Sequence, residues 1–488
     1  MPVAEPGSSR SGPCIGPFSY LRSCLAVPSL RDIPTRAWIV FAVIFLAGTG
    51  IRVYETVKPI ARLSADAHSY AGIGKTLGNT GRYQANESKL RWPPGTPILF
   101  GAAYKLSPGE HSTTGDYDAP RWAQFLVTTG TILMVFLLGW LLAGPWAGVI
   151  ASAIIAFYPP LYWGPSNLLS EPLGAFLVTC AFTALVAGWR SRKLWWFGIS
   201  GALFGTVLLT RTDLLFVPVT VGLVVLIGMW RHGGWKQGVL STALLGVCGL
   251  LVIAPWSIYA SGVAGRVVPI TIGGGSAFFV GTYLPGNGST ITLKHVLQPE
   301  IVKRYPQYKG VHYKKIPGKA ALDTIAARHP EMSRDNALLT EARANLKDAV
   351  LHHPVQLAKL WWTKVQKMWF RASLGGAHHP MPVLRIYHNV LVILTLIGLI
   401  GGIVRRRDPA LISILVAVLT ATAVHMFAVA NGRYGLPVIP IFFTAGVAGW
   451  WMLVSEHLER RRSRAAEADE PQVQDDAPAD PPTRSILT

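Results

Sequence analysis

Ten stretches of mostly apolar residues, each long enough to cross a lipid bilayer as a helix, dominate this chain. An α-helix rises 1.5 Å per residue, so about 20 apolar residues span the roughly 30 Å hydrocarbon core. The stretches run from Arg36 to Tyr54, Pro120 to Ala143, Pro145 to Trp163, Leu168 to Trp189 and Leu194 to Thr210, then from Asp213 to Trp230, Gln237 to Ala260, Ile386 to Val404, Pro409 to Ala430 and Tyr434 to Leu453. Lipid offers no partner to backbone N–H and C=O groups, so each stretch must satisfy its own as a helix. The expected fold is an all-α integral membrane protein of about ten transmembrane helices with helical loops outside them.

Composition agrees. Only 14% of the 488 residues are charged, against about 25% in a soluble domain, which excludes a disordered protein and an ordinary cytosolic enzyme. The formal charge of +20 would suggest nucleic acid, but its location argues otherwise. Lys and Arg gather in alternate short connections: Arg22, Arg31 and Arg36; Arg190, Arg192 and Lys193; Arg231 and Lys236; Arg405 to Arg407; Arg460 to Arg462 with Arg464. With ten spans all of these share one side, and positive residues resist translocation, so both termini are expected in the cytoplasm of a multi-pass plasma (inner) membrane protein. The expected partner is the lipid bilayer, with no nucleic acid. Residues 1–36 and 456–488 read as disordered cytoplasmic ends, the first apolar stretch as an uncleaved anchor. Cys14 and Cys24 lie in the leader and Cys180 and Cys248 in apolar runs, so no structural disulfide is expected.

Two long connections fall on the other, extracytoplasmic side: Glu55 to Ala119, with a helical pattern over Asp66 to Gly78, and Ser261 to Arg385, with helical patterns over Asp335 to His352 and Val355 to Phe370. The last mixes Trp361, Trp362 and Trp369 with Lys359, Lys364 and Lys367, as suits a membrane interface. The expected organisation is a module over 37–260 that includes a catalytic first loop over 55–119, an outer cap over 261–385, and terminal spans over 386–455.

Chemistry is expected on this outer side, because long loops are usually functional. Asp66, His68 and Arg91 lie in the first loop; Glu171 opens the fourth span; Arg211 and Asp213 share a tight outer turn; Arg433 precedes Tyr434 at the last span. Ionisable residues at an apolar boundary are costly and are functional candidates. Each also has an ordinary structural role open to it: Asp66 or Ser64 as a helix cap, Glu171 at a helix N-terminus or paired with Arg211, Arg211 with Asp213 as a surface pair, Arg433 snorkelling to headgroups, His425 as a satisfied interior histidine. Together they offer planar guanidinium forks for phosphate and a carboxylate for a hydroxyl proton. Gly72-Ile73-Gly74 and Gly273 to Gly275 lack the surroundings of a dinucleotide fingerprint, and no Cys/His cluster has metal spacing. His352-His353 and His378-His379 read as solvated pairs, and the sequons at Asn86 and Asn287 are uninformative without the host.

Seven ordered segments resemble the GT-C superfamily of integral-membrane glycosyltransferases, and within it bacterial glycosyltransferase family 39, the branch of protein O-mannosyltransferases and aminoarabinose transferases. They are Ala65-Asp66-Ala67-His68-Ser69-Tyr70, Leu77 to Tyr83, Arg91-Trp92-Pro93-Pro94-Gly95-Thr96-Pro97, Tyr158-Pro159-Pro160 with Leu169-Ser170-Glu171-Pro172, Leu209-Thr210-Arg211-Thr212-Asp213, Ala254 to Tyr259 leading to Val268 to Gly275, and Gly432-Arg433-Tyr434-Gly435-Leu436-Pro437. The resemblance implies inverting transfer of a hexosyl or pentosyl unit from a polyprenyl-phosphate donor to a hydroxyl of a lipid, polysaccharide or protein acceptor. By the same resemblance Asp66 is the general base and Arg91, Arg211 and Arg433 hold the donor phosphate, with His68, Tyr70, Glu171, Asp213 and Tyr434 in support. Many relatives carry a second acid after the first. Here Ala67 stands there, so a divalent metal is an open question and no cofactor is specified. A lipid-linked-sugar flippase and a non-catalytic envelope-assembly subunit are the competing readings.

Overall fold

A computed structural model describes residues 30–60, 63–83, 87–107, 116–370 and 382–469. Cys14, Cys24 and Arg22 of the leader, the Asn86 sequon, the His378-His379 pair and the tail beyond residue 469 lie outside the described residues. Among the described residues every regular element is helical. In chain order they are α1 (Thr35–Val57), α2 (Ala65–Thr80), α3 (Gly95–Leu106), α4 (Asp118–Ala143), α5 (Pro145–Ala156), α6 (Pro159–Tyr162), α7 (Gly164–Asn167), α8 (Ser170–Ser191), α9 (Leu194–Leu208), α10 (Phe216–Gly233) and α11 (Trp235–Ala264). There follow α12 (Gly274–Thr282), α13 (Thr290–Val296), α14 (Gln298–Arg304), α15 (Gly318–Ala326), α16 (Arg334–His352), α17 (Pro354–Trp369), α18 (Pro382–Arg406), α19 (Pro409–Phe427) and α20 (Ile439–Asp469).

Eight of these, α1, α4, α8, α10, α11, α18, α19 and α20, are long and apolar enough to cross a bilayer. α5 and α9 are apolar but only 12 and 15 residues long, so the ten expected spans become eight long helices and two short ones. Prolines end α5 early. Pro159 and Pro160 cannot donate backbone hydrogen bonds and disfavour helix in the residue before them, so the chain breaks at Phe157 and Tyr158 and continues as the single turns α6 and α7.

The carbonyls at this break have a side-chain partner, Arg52 of α1. It is fully buried, with Nη1 donating to Ala156 O at 2.9 Å and Nη2 to Ile155 O at 3.2 Å, the usual remedy for helix ends cut off from water. Arg190 does the same for α4, donating to Leu141 O and Leu142 O while pairing with Asp408 at 2.5 Å. Small residues bring helices together where lipid gives no hydrophobic drive. A Cβ on Gly139 would stand 2.7 Å from Gly148 Cα, and one on Gly402 2.8 Å from Gly449 Cα, which seats α4 on α5 and α18 on α20.

Between α11 and α18 lies a helical cap with an apolar core of its own, in which Phe279, Leu293, Ile301, Ile316, Ala321 and Leu338 are buried. Lys364 of α17 ties this cap to the bundle. Its side chain is buried, and Nζ donates to Gly281 O (2.6 Å), Met426 O (2.8 Å) and Ala428 O (2.9 Å), at the ends of α12 and α19. The two ends of the bundle differ. The turns joining α8 to α9, α10 to α11 and α18 to α19 carry Arg190 to Lys193, Arg231 to Lys236 and Arg405 to Arg407, while the opposite ends carry Glu171, Arg211, Asp213, His425 and Arg433.

Candidate active site

The first wall of the site is α2. Ser64 rather than Asp66 caps it, its Oγ accepting from Ala67 N at 3.2 Å. Asp66 is thereby free to face the approach to α20, where Oδ2 lies 2.5 Å from Arg433 Nη2. Tyr70, one turn on, is buried. Burial raises its hydroxyl pKa to about 12, with a hydrogen bond to Ser170 acting the other way, so it enters the site as a neutral hydroxyl.

The second wall is the segment Arg91-Trp92-Pro93-Pro94-Gly95. Two prolines end a 3₁₀ turn, and Gly95 opens α3 against the end of α9, its N–H donating to Leu209 O at 2.7 Å. A Cβ on Gly95 would lie 3.0 Å from Leu209 O and would collide with Thr210 Oγ1, so only glycine permits this docking. Trp92 packs edge-on against Tyr70 (5.1 Å between ring centroids), and the Arg91 guanidinium lies 4.9 Å over Trp92, within cation–π range. Arg91 itself is exposed.

The third wall is the charged floor. Glu171, the second residue of α8, is buried, and its Oε1 is 3.0 Å from Arg211 Nη1 and 3.4 Å from Arg433 Nε. Its Oε2 has no hydrogen-bond partner. Arg211 is also held in a fork by Asp213, Nε to Oδ1 at 2.9 Å and Nη2 to Oδ2 at 2.6 Å, the bidentate geometry that suits guanidinium and carboxylate. Asp213 Oδ2 in turn faces His425 Nε2 at 3.2 Å, while His425 Nδ1 lies 2.8 Å from Ala421 O. The ring of Tyr434 sits beneath both guanidiniums, 5.3 Å from Arg211 and 5.6 Å from Arg433. Burial alone would lower the Arg433 pKa, but Glu171, Tyr434 and Asp66 together raise it above its ordinary value.

These groups converge on one cavity of about 210 Å³. Asp66, Tyr70, Arg91, Glu171, Arg211, Asp213, Arg433 and Tyr434 all line it. His68 does not; its Nδ1 pairs with Tyr117 OH at 2.9 Å on the exposed side of α2. Residues that sequence reasoning left out also face the cavity: Trp92, Ser170 and Thr210, the cap residue Ala277, and His425 with Ala428 and Val429. His425 had a signal, an ionisable residue inside an apolar stretch, and an interior role accounts for only one of its two nitrogens. The lining holds three arginines and three carboxylates, formally neutral as a set. Each carboxylate faces an arginine, and among the described residues no group of three or more His, Cys, Asp or Glu could hold a metal ion.

Among solved structures, the archaeal oligosaccharyltransferase AglB from Archaeoglobus fulgidus, in complex with an inhibitory peptide and a dolichol-phosphate, aligns over 88% of this chain and 52% of its own, at 13% identity and a TM-score of 0.51. The apo crystal structure of the Archaeoglobus fulgidus oligosaccharyltransferase aligns over the same shares at 16% identity and a TM-score of 0.53. The chain shares the fold of these two solved structures. It spans about half the length of these oligosaccharyltransferases. ArnT from Cupriavidus metallidurans, bound to undecaprenyl phosphate, aligns over 84% of this chain and 77% of its own, at 15% identity and a TM-score of 0.37. No family model and no curated protein matches the sequence. With this fold and eight helices long and apolar enough to cross a bilayer among the described residues, the chain is a multi-pass membrane protein, and the cavity lies where the first-loop helices, the bundle and the cap meet.

Proposed function

We propose that this protein is a glycosyltransferase that moves a sugar from a polyprenyl-phosphate carrier to a hydroxyl acceptor at the extracytoplasmic face of the plasma membrane. The observation that carries the reading is the convergence of Asp66, Arg91, Arg211 and Arg433 on one cavity at the end of the bundle away from the Lys/Arg turns. The Lys/Arg content of those turns supports, by the positive-inside rule, a cytoplasmic setting for them and for both termini. The solved oligosaccharyltransferase with the same fold is described with a dolichol-phosphate, a lipid phosphate of the class that these arginines would hold.

Asp66 takes the proton of the acceptor hydroxyl. The acceptor oxygen forms a bond to the anomeric carbon from the face opposite the carrier, so the configuration inverts. The bond from that carbon to the phosphate oxygen breaks, and its electron pair leaves with the lipid phosphate. Arg91, Arg211 and Arg433 stabilise the charge that grows there, with Glu171, Asp213 and Tyr434 fixing the two inner guanidiniums before the substrate arrives. Glu171 Oε2, without a partner, is the acceptor offered to a donor group on the sugar. Transport fits less well, because the charges line one end of the bundle rather than a midplane path.

The test is transfer from a panel of synthetic polyprenyl-phosphate hexoses, pentoses and aminosugars by the purified full chain. Asp66→Asn should abolish transfer at normal membrane expression. Unimpaired transfer by that variant would remove Asp66 from the base role, and a wild-type protein that consumes no donor would favour the assembly-subunit reading.

A further inference from the structure

The cap carries a second charged surface, separate from the cavity. From residue 301 to residue 322 there is no Asp or Glu, while Lys303, Arg304, Lys309, Lys314, Lys315 and Lys319 are all exposed. Among the described residues none of the six has an acidic partner. The neighbouring acids are engaged elsewhere, Glu300 and Glu341 with Arg328, and Asp323 with Arg334. Six uncompensated positive charges on one short segment create a local field that favours an anion.

The segment is built rather than loose. Buried Ile316 anchors it in the cap core. Lys294 Nζ donates to Lys314 O (3.0 Å) and Ile316 O (2.8 Å), and Gln298 Nε2 donates to Val311 O (3.0 Å). Tyr305, Tyr308 and Tyr313 stand half-buried among the cations, with His312 stacked on Tyr313 at 4.4 Å. The backbone that carries the charges is therefore fixed before any ligand arrives, which lowers the ordering cost of binding.

A lipid surface is the obvious alternative ligand, and the exposed residues argue against it. Membrane-seated helices pair basic residues with exposed aliphatic or aromatic bulk, and the elbow of α16 and α17 has that character, with Val350, Leu351, Val355 and Trp362 exposed. The basic strip has no exposed large hydrophobic residue between Val296 and Met332. It faces water. Ala277 of α12, in the cap, lines the cavity, and Val429, just past α19, lines it too while packing against the cap core, so the cap that carries the strip also borders the cavity.

We infer that this strip docks a water-soluble acidic glycan, a chain of carboxylate- or phosphate-bearing sugars that the cap holds as acceptor beside the cavity. The inference rests on the glycosyl-transfer reading for what the docking serves. The basic groups meet the acidic ones, and the tyrosine rings offer apolar faces to the sugars.

The test uses the full chain in neutral phosphatidylcholine nanodiscs and a variant combining Lys303→Gln, Lys309→Gln, Lys314→Gln and Lys315→Gln, all exposed positions outside the catalytic cavity. Polygalacturonate is the acidic probe, neutral dextran the control, and phosphatidylglycerol vesicles the lipid probe. Wild type should bind polygalacturonate and not dextran, with affinity falling as salt rises, and the variant should bind roughly tenfold more weakly. Both proteins should bind the vesicles equally and retain the same affinity for polyprenyl phosphate. Equal polygalacturonate binding by wild type and variant overturns the inference, and so does a variant defect confined to the vesicles, which would assign the strip to lipid. If donor turnover is absent while the binding difference persists, the transfer reading fails and the polyanion surface stands.

Discussion

Asp66→Asn should tighten the hold on lipid phosphate while it stops transfer. In the free site the proposed base and a proposed phosphate clamp occupy each other, with Asp66 Oδ2 2.5 Å from Arg433 Nη2. Asparagine keeps an oxygen for the guanidinium to donate to and removes the charge, so the lining passes from formally neutral to +1. A phosphate oxygen that takes over Arg433 from another side lies about 5–6 Å from the carboxylate, a repulsion of roughly 3 kcal/mol at an effective dielectric of 20. The two side chains are 31% and 23% exposed, and water screens them, which reduces the figure to about 1–2 kcal/mol. That is roughly a 5- to 30-fold lower Kd. Titration of purified wild type and variant with polyprenyl phosphate, read by calorimetry or by ligand-dependent thermal shift, measures it directly. A variant that binds equally or more weakly would refute the reasoning, since Asp66 would then not compete with phosphate for Arg433.

Three further outcomes follow from the geometry. Glu171→Gln removes the buried charge that faces both Arg211 and Arg433; each arginine keeps a second carboxylate, so the expected loss is about 2–3 kcal/mol rather than the 3–5 of a wholly broken buried pair, visible as a lower unfolding temperature in detergent. Gly95→Ala forces a Cβ against Leu209 O and Thr210 and should cost about 1–3 kcal/mol as overpacking, with α3 and Trp92 displaced and donor affinity reduced; an unchanged affinity would detach this docking from the site. Lys364→Met leaves one buried and two part-buried carbonyls without this donor and should cost about 1–3 kcal/mol, with limited proteolysis cutting the cap, around residues 283–317, before the bundle.

Much of this was legible in the residues, because the constraint was strong. Apolar length and the distribution of Lys and Arg outlined the bundle, and the helical patterns of the loops appear as α2, α16 and α17 within a residue or two. The short fifth helix was not legible in the same way. Hydropathy continues through Pro159 and Pro160, whereas helical hydrogen bonding does not. At the site, residue types identified Asp66 and the arginines as candidates, but not who faces whom. That Glu171 serves two arginines, that Ser64 rather than Asp66 caps α2, and that His425 turns toward Asp213 depend on contacts between residues as far apart as 66 and 433. Local pattern carries no record of such distances. His68 shows the converse, a polar residue in the right segment that helical rotation directs away from the cavity.

The shortness of α9 bears on how the site meets its lipid. Trp195 and Trp196, stacked at 4.0 Å beside Lys193, are the kind of aromatic anchor that fixes a helix end at the headgroup layer. From there 15 residues rise about 22 Å, some 8 Å short of a 30 Å hydrocarbon core. With Trp195 and Trp196 at one headgroup layer, the shortfall would fall at the far end, where the chain turns through Thr210 and Arg211, and would root the guanidinium below the plane of the surrounding headgroups. A short lipid-facing stretch is accommodated by local thinning of the bilayer. On the proposed transfer reading, a carrier's phosphate would then reach the arginine with its isoprenoid tail still in lipid, and the thickness of the host membrane would help to set the rate.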